Sequence, residues 1–171
     1  MSKKEATATI TSESELNQWL ERSRTMLLLF DIHLNWTGRC ETMIPQLDAL
    51  YRSIDQSEGR FKILTLEVPT FAQKFEELVE LSPSCTYSIP LKNEENNGNS
   101  TATVDDDDND DDHNPSLKTL LTKSGCSPLF LAVKKHNVLS VVRGANFPAL
   151  AKIIDDHIPR TSDDDDLDEA I

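Results

Sequence analysis

An α/β fold built on a mixed sheet is predicted by three observations. Residues 26–32 and 61–68 are near-continuous apolar runs, as expected of central strands buried on both faces. Each is followed by apolar residues at helical spacing. Two later runs, 129–133 and 138–142, stand at hairpin distance from one another. Strands alternating with helices and closed by a hairpin and a last helix imply a sheet with helices on its faces.

The elements follow in order. Residues 7–10 suit a short first strand. Ser12 then offers a helix N-cap with Glu15 at the capping-box position, and Leu16, Trp19 and Leu20 fall on one helical face. After the strand at 26–32, residues 33–39 contain Gly38 and read as a turn. From Cys40, the positions Met43, Ile44, Leu47, Leu50, Tyr51 and Ile54 recur at helical intervals. Pro45 falls inside that expected helix, where a proline removes a hydrogen bond and kinks the axis. Phe71, Phe75, Leu78 and Val79 mark a further helix over 71–81. Residues 82–114 lack periodicity and are read as a disordered stretch within an insertion spanning about 69–114. Pro115, capped by Asn114, begins a short helix to 123. Residues 134–137 join the two strands of the hairpin, and 147–158 form the closing helix, with Leu150, Ile153 and Ile154 inward. One domain over 1–160 and an acidic tail over 161–171 account for the chain, which shows no internal repeat.

The net charge of −13 is local rather than general. Seven aspartates lie within 105–112 and six acids within 163–169, and neither stretch holds a Lys or Arg. Without them the net charge is about zero. Such blocks repel themselves and remain unfolded, which also explains an apolar content of only 37%. A neutral body without a basic stripe disfavours nucleic acid and anionic membrane surfaces as partners. No apolar run reaches the length of a membrane span, and residues 1–10 lack the apolar core of a secretory signal. Three widely spaced cysteines, an odd number, suit a reducing compartment and a cytoplasmic location.

Ligand motifs are sparse. Asp105, Asp107 and Asn109 alternate as in a calcium loop, but Asp110 stands where that loop needs glycine and Ser116 where it needs its closing glutamate. His113, His136 and His157 show no metal-ligand spacing, and no glycine-rich phosphate loop is present. No metal or cofactor is expected. His33 reads as a surface or groove residue and Cys85 as an exposed bystander in the polar insertion.

The sequence Trp36-Thr37-Gly38-Arg39-Cys40, between a strand and a helix, resembles the thioredoxin active site Trp-Cys-Gly-Pro-Cys. Three further positions agree. Asp31, five residues before Trp36, matches the buried aspartate that assists proton transfer in thioredoxins. Pro45 matches their helix proline, and Pro128, preceded by Ser127, matches their cis-proline beside the site. The resemblance covers about 7–158, apart from much of the insertion, and implies a thioredoxin-like fold.

That resemblance also identifies what is missing. In a Cys-x-x-Cys site the helix N-terminus lowers the pKa of the first cysteine, whose thiolate attacks a disulfide before the second cysteine resolves the mixed disulfide. Here Thr37 holds the attacking position, and its hydroxyl cannot exchange with a disulfide. Arg39 replaces the family proline. Cys40 remains at the less nucleophilic resolving position, so no dithiol enzyme is expected. Cys126, two residues before Pro128, leaves a Cys40–Cys126 pairing or two separate thiols as alternatives.

A narrower resemblance lies in the C-terminal half. Cys126-Ser127-Pro128-Leu129-Phe130-Leu131, followed by Arg143-Gly144-Ala145-Asn146-Phe147-Pro148, is similar to thioredoxin domains of ciliary proteins. These are the light chains of axonemal outer-arm dynein and the thioredoxin–nucleoside diphosphate kinase fusions. The resemblance implies a stand-alone light chain bound to a dynein heavy chain and other outer-arm subunits in the cilium or flagellum. Partner contact would fall on Trp36, Gly38, Cys40, Cys126, Ser127, Pro128, Arg143 and Asn146. The residues alone allow a simpler account of the last segment: Gly144 turns the chain, Asn146 caps the final helix and Pro148 suits its first turn. A monothiol oxidoreductase using Cys40, and a free cytosolic adaptor, are the alternatives.

Overall fold

The structure, a computed structural model, describes residues 6–34, 37–68, 74, 77–78, 82, 85–88 and 128–160. Among the described residues, six strands form one sheet in the order β1-β3-β2-β5-β6-β4. They are β1 (Thr7–Thr9), β2 (Leu27–Leu34), β3 (Phe61–Val68), β4 (Thr86–Ser88), β5 (Leu129–Lys134) and β6 (Asn137–Arg143). Strands β1, β3 and β2 run parallel, β5 is antiparallel to both β2 and β6, and β4 is parallel to β6. The expected mixed sheet is therefore present, with β3 over the residues its apolar run indicates; β2 begins one residue later than expected and runs on through His33 and Leu34, which pair with Glu67 and Val68 rather than opening the turn. Leu27, Leu28, Leu29, Phe30 and Ile32 are all buried, as a strand covered on both faces requires.

Each face of the sheet carries its own core. On one side α1 (Glu13–Arg22) lays Leu16 and Leu20 against Leu28, Phe30, Leu64, Leu131 and Val141. On the other, α2 (Met43–Ser53) and the closing helix α4 (Phe147–His157) bring Met43, Leu47, Tyr51, Leu150 and Ile154 onto Leu27, Leu29, Phe61, Ile63 and Phe130. A four-residue helix, α3 (Ser57–Arg60), enters β3 and has no counterpart in the sequence reading. The caps behave as their residue types predict. Ser12 accepts a hydrogen bond from the Glu15 backbone at 3.2 Å, and Asn146 accepts one from the Ala149 backbone at 3.2 Å. The Glu15 carboxylate turns back to Thr11, accepting from its backbone N–H and its hydroxyl at 2.9 and 3.0 Å, rather than to Ser12.

Several sequence expectations are corrected. The helix expected from Cys40 begins at Met43. Pro45 is thus its third residue, where a backbone N–H would have no intrahelical acceptor, and the expected loss of a hydrogen bond does not arise. The aperiodic stretch 82–114 contains β4, which extends the sheet at the β6 edge. Three residues with one aromatic between two hydroxyl side chains carry too little periodicity to announce a strand. Cys85 is not an exposed bystander: it is half-buried and packs against the core on the α1 side. Lys74, Glu77 and Leu78 are helical, whereas the rest of the helix expected over 71–81, the helix over 115–123 and both acidic tracts lie outside the described residues. No helix among the described residues is long and apolar enough to cross a membrane.

The sheet's topology sets where β4 ends and β5 begins. Ser88 pairs with Val142, and the Pro128 carbonyl accepts from the Gly144 N–H at 2.8 Å. Ser88 and Pro128 therefore lie at the same end of the sheet, the C-terminal end of β2 and β6.

Candidate functional site

Those of the predicted site residues that the structure describes gather at that end. The β2–β5 register pairs Asp31 with Phe130 and Ile32 with Leu129, so Pro128 falls one residue beyond the last pair, beside the exit of β2. Arg143, half-buried, pairs with Leu129 at the end of β6, and Gly144 then turns the chain at φ 86° into the Asn146 cap of α4. This is the crevice outside the carboxyl ends of parallel strands where open α/β sheets bind ligands. Trp36, Cys126 and Ser127 lie outside the described residues, as does any pairing of Cys40 with Cys126.

The turn after β2 holds the residues at the positions of the thioredoxin motif. Thr37 and Gly38 both donate backbone N–H bonds to the Leu34 carbonyl, at 3.0 and 3.1 Å. The Thr37 hydroxyl donates to the same carbonyl at 3.0 Å. It is a satisfied turn residue. Gly38 adopts φ +64° with no heavy atom within 4 Å of where a Cβ would sit, so conformation rather than space favours glycine. Cys40 carries a free, half-buried thiol whose Sγ lies 3.1 Å from the Thr42 hydroxyl. The Cys40 carbonyl accepts the Met43 and Ile44 N–H groups at 3.0 and 3.3 Å, which places Cys40 ahead of the helix rather than within it.

Beneath the turn, Asp31 is 2% exposed and faces the α2 and α4 side of the sheet. A buried carboxylate needs compensation. Arg39, 24% exposed, supplies it through Nε, 2.9 Å from Asp31 Oδ2. The aspartate at the thioredoxin-like position is thus joined to the residue that replaces the family proline, and no hydrogen bond links it to Cys40. Among the described residues, the second carboxylate oxygen, Oδ1, has no partner; neither do Thr65 Oγ1 and His33 Nδ1, both buried atoms. Thr65 is the β3 neighbour of Asp31, and Glu67 is that of His33. The sequence reading gave His33 as a surface or groove residue and missed Thr65 and the Asp31–Arg39 pair. The available signal was an acid in an otherwise apolar strand, which obliges some nearby cation to answer it. Among the described residues, no group of three His, Cys, Asp or Glu side chains is placed to hold a metal.

No family model matches this chain, and no curated protein does. Solved structures do. The thioredoxin NaTrxh of Nicotiana alata is similar with a TM-score of 0.52 and 14% identity, covering 93% of this chain and 98% of that one. A yeast mitochondrial 1-Cys peroxiredoxin gives 0.49 and 16%, covering 89% and 96%. Thioredoxin F of spinach chloroplasts gives 0.46 and 15%, covering 88% and 84%. Identities this low speak to the fold alone. It is thioredoxin-like, as the spacing of Asp31, the turn and Pro128 implied.

Proposed function

We propose that this chain is a non-catalytic, thioredoxin-like light chain of the ciliary outer dynein arm, binding a dynein heavy chain as a structural or regulatory subunit. One observation carries the non-catalytic part: the attacking position is occupied by Thr37, whose hydroxyl is already committed to Leu34, while Arg39 ties up Asp31. Dithiol exchange needs an attacking cysteine paired with a resolving one, and the attacking position here is Thr37. The crevice near Gly38, Cys40 and Pro128 would serve instead for backbone and side-chain contact with an extended segment of the partner. The likeness of the Arg143–Pro148 segment to outer-arm light chains supplies the partner. On that reading the chain would be found in the cytoplasm and the axoneme.

Two measurements test this reading. The purified chain should leave insulin unreduced under conditions in which a thioredoxin precipitates it; turnover at a thioredoxin-like rate would overturn the non-catalytic assignment. Outer arms extracted from axonemes of cells expressing the chain should contain it together with a heavy chain, and its absence would remove the dynein assignment. The second reading, a monothiol oxidoreductase, draws on the free thiol of Cys40, which is half-buried rather than sealed. It requires glutathione-dependent exchange that disappears in Cys40→Ser. A free adaptor on the same fold would bind a partner but be missing from outer arms.

A further inference from the structure

The closing helix ends among cations supplied by other elements. Lys134, the last residue of β5, donates from Nζ to the His157 carbonyl at 2.7 Å. Arg60, the last residue of α3, donates from Nε to the Pro159 carbonyl and from Nη1 to the Asp55 carbonyl. Positive groups suit the carbonyl end of a helix, so these contacts have a structural use. They leave donors over. An ammonium has three N–H bonds and a guanidinium five, and no carboxylate among the described residues lies within ion-pair distance of Lys134, Lys135 or Arg60. Asp155 and Asp156 are exposed on the last turn of α4, but they follow buried Ile154 around the helix and are turned to solvent. Burial, and then the neighbouring Lys135, hold the Lys134 ammonium below the ordinary lysine range. The cluster lacks a counter-charge.

We infer that this cationic surface, formed by Lys134, Lys135 and Arg60 at the end of α4, is a docking site for the chain's own acidic tail segment, Asp163–Asp166. Charge and reach both select that occupant. Asp163 stands three residues beyond Arg160, a span of at most about 10 Å. Lys134 and Arg60 already touch the backbone at His157 and Pro159. Four aspartates tethered so close act at high effective concentration. The other acidic tract is placed less well. Asp105 stands 17 residues beyond Ser88, and Ser88 and Pro128 both lie at the opposite end of the sheet. Bringing it across the molecule closes a longer loop at a larger entropic cost. Exposed ion pairs are individually weak, so the docked tail exchanges with a released one and salt shifts the balance. Released, the surface is open to an acidic segment of another protein, and the tail is its built-in competitor. Leu27 pairs with Phe61 and Leu28 with Val133, which sets Arg60 and Lys134 where β2 begins. The surface is thus remote from the crevice, and it holds whichever partner the crevice takes.

The test is NMR of the full chain at about 10 mM and about 1 M salt, between which the screening length falls from about 30 to about 3 Å. A tail variant carrying Asp163→Asn, Asp164→Asn, Asp165→Asn and Asp166→Asn should differ from wild type at the backbone amides of Lys134, Lys135 and Arg60 in low salt. That difference should vanish in high salt. The matching insertion variant, Asp105→Asn through Asp108→Asn, should leave those amides unmoved. An acetylated tetra-aspartate peptide, titrated in low salt, should give saturable shifts at the same amides. It should bind the tail variant about threefold more tightly than wild type or better, the factor expected where the tail covers its site in about two thirds of molecules. Lys134→Gln with Lys135→Gln, added to the tail variant, should remove saturable peptide binding. Equal peptide affinity for wild type and tail variant would overturn the proposal, as would a peptide that fails to bind the tail variant. So would amides that answer to the insertion variant instead of the tail variant. The tail substitutions touch no residue of the sheet or its helices, so their comparison decides even if the lysine variant fails to fold.

Discussion

The two ends of β2 treat buried polar groups in opposite ways. At the end where the chain enters, Ser23 is fully buried, and its hydroxyl donates to the Leu20 carbonyl at 2.6 Å while accepting the His136 N–H at 3.0 Å. Its carbonyl accepts the Lys135 N–H at 2.6 Å. Those bonds fasten α1 to the two-residue β5–β6 turn, in which Lys135 and His136 hold φ of 52° and 62° without a glycine. At the exit, Asp31, His33 and Thr65 each leave an atom without a partner among the described residues. Polar groups at the first end do structural work. Those at the second are satisfied only in part, as expected where a fold keeps a binding surface at some expense of stability.

The largest effect that would break this comparison is at Arg39. Removing one partner of a buried ion pair leaves the other charge uncompensated. Arg39→Ala should lower unfolding free energy by about 2–3 kcal/mol, allowing for the partial exposure of the arginine. Adding Asp31→Leu to that variant should recover most of the loss, since apolar residues often replace a buried pair at no net cost. Chemical denaturation of wild type, single and double variants measures both. A double variant no more stable than Arg39→Ala would show that Asp31 is held by something other than Arg39.

Next is the satisfied end. Ser23→Ala removes a hydroxyl that both donates and accepts in a fully buried place, so a loss of about 1–3 kcal/mol is expected. Hydrogen exchange should accelerate first at His136, whose N–H loses its acceptor. At the exit, by contrast, Thr65→Val removes a hydroxyl that has no partner. The expected change is between zero and a gain of about 1 kcal/mol, because deleting an unpartnered buried polar group relieves its desolvation. A loss comparable to that of Ser23→Ala would mean that Thr65 is satisfied in solution, and the contrast between the two ends would fail.

The same contrast bears on what the sequence disclosed. Features set by local chemistry were legible: the apolar runs of β2 and β3, the Ser12 and Asn146 caps, the hairpin and the Gly144 turn. Features set by interactions between elements were not. Nothing near Cys40 signals that the helix waits until Met43: Thr42, its N-cap, makes no side-chain capping hydrogen bond, its hydroxyl lying instead against Cys40 Sγ. β4 is defined by pairing with β6, across a sequence separation in which no period survives. The Asp31–Arg39 pair spans only eight residues, yet reading it requires knowing that the turn folds back over the end of its own strand. The likeness to the thioredoxin motif directed attention to Thr37 and Cys40, whereas the geometry gives Arg39 the larger structural role.

The smallest effect concerns pH and lies at neither end of β2. The Glu15 carboxylate is held below the ordinary glutamate range, chiefly by the Thr11 backbone N–H and then by the Thr11 hydroxyl. Between the folded and unfolded values the unfolded chain binds more protons, so stability rises with pH there. The contribution is complete above the unfolded value and disappears as pH falls through the folded one. Glu15→Gln should therefore be slightly less stable than wild type at neutral pH, and the gap should close on acidification below the usual carboxylate range. Parallel thermal melts across that interval measure it. A gap that persisted in acid would assign the effect to lost hydrogen bonding by the neutral side chain, and the α1 cap would then resemble Ser23, a contact that does not depend on charge.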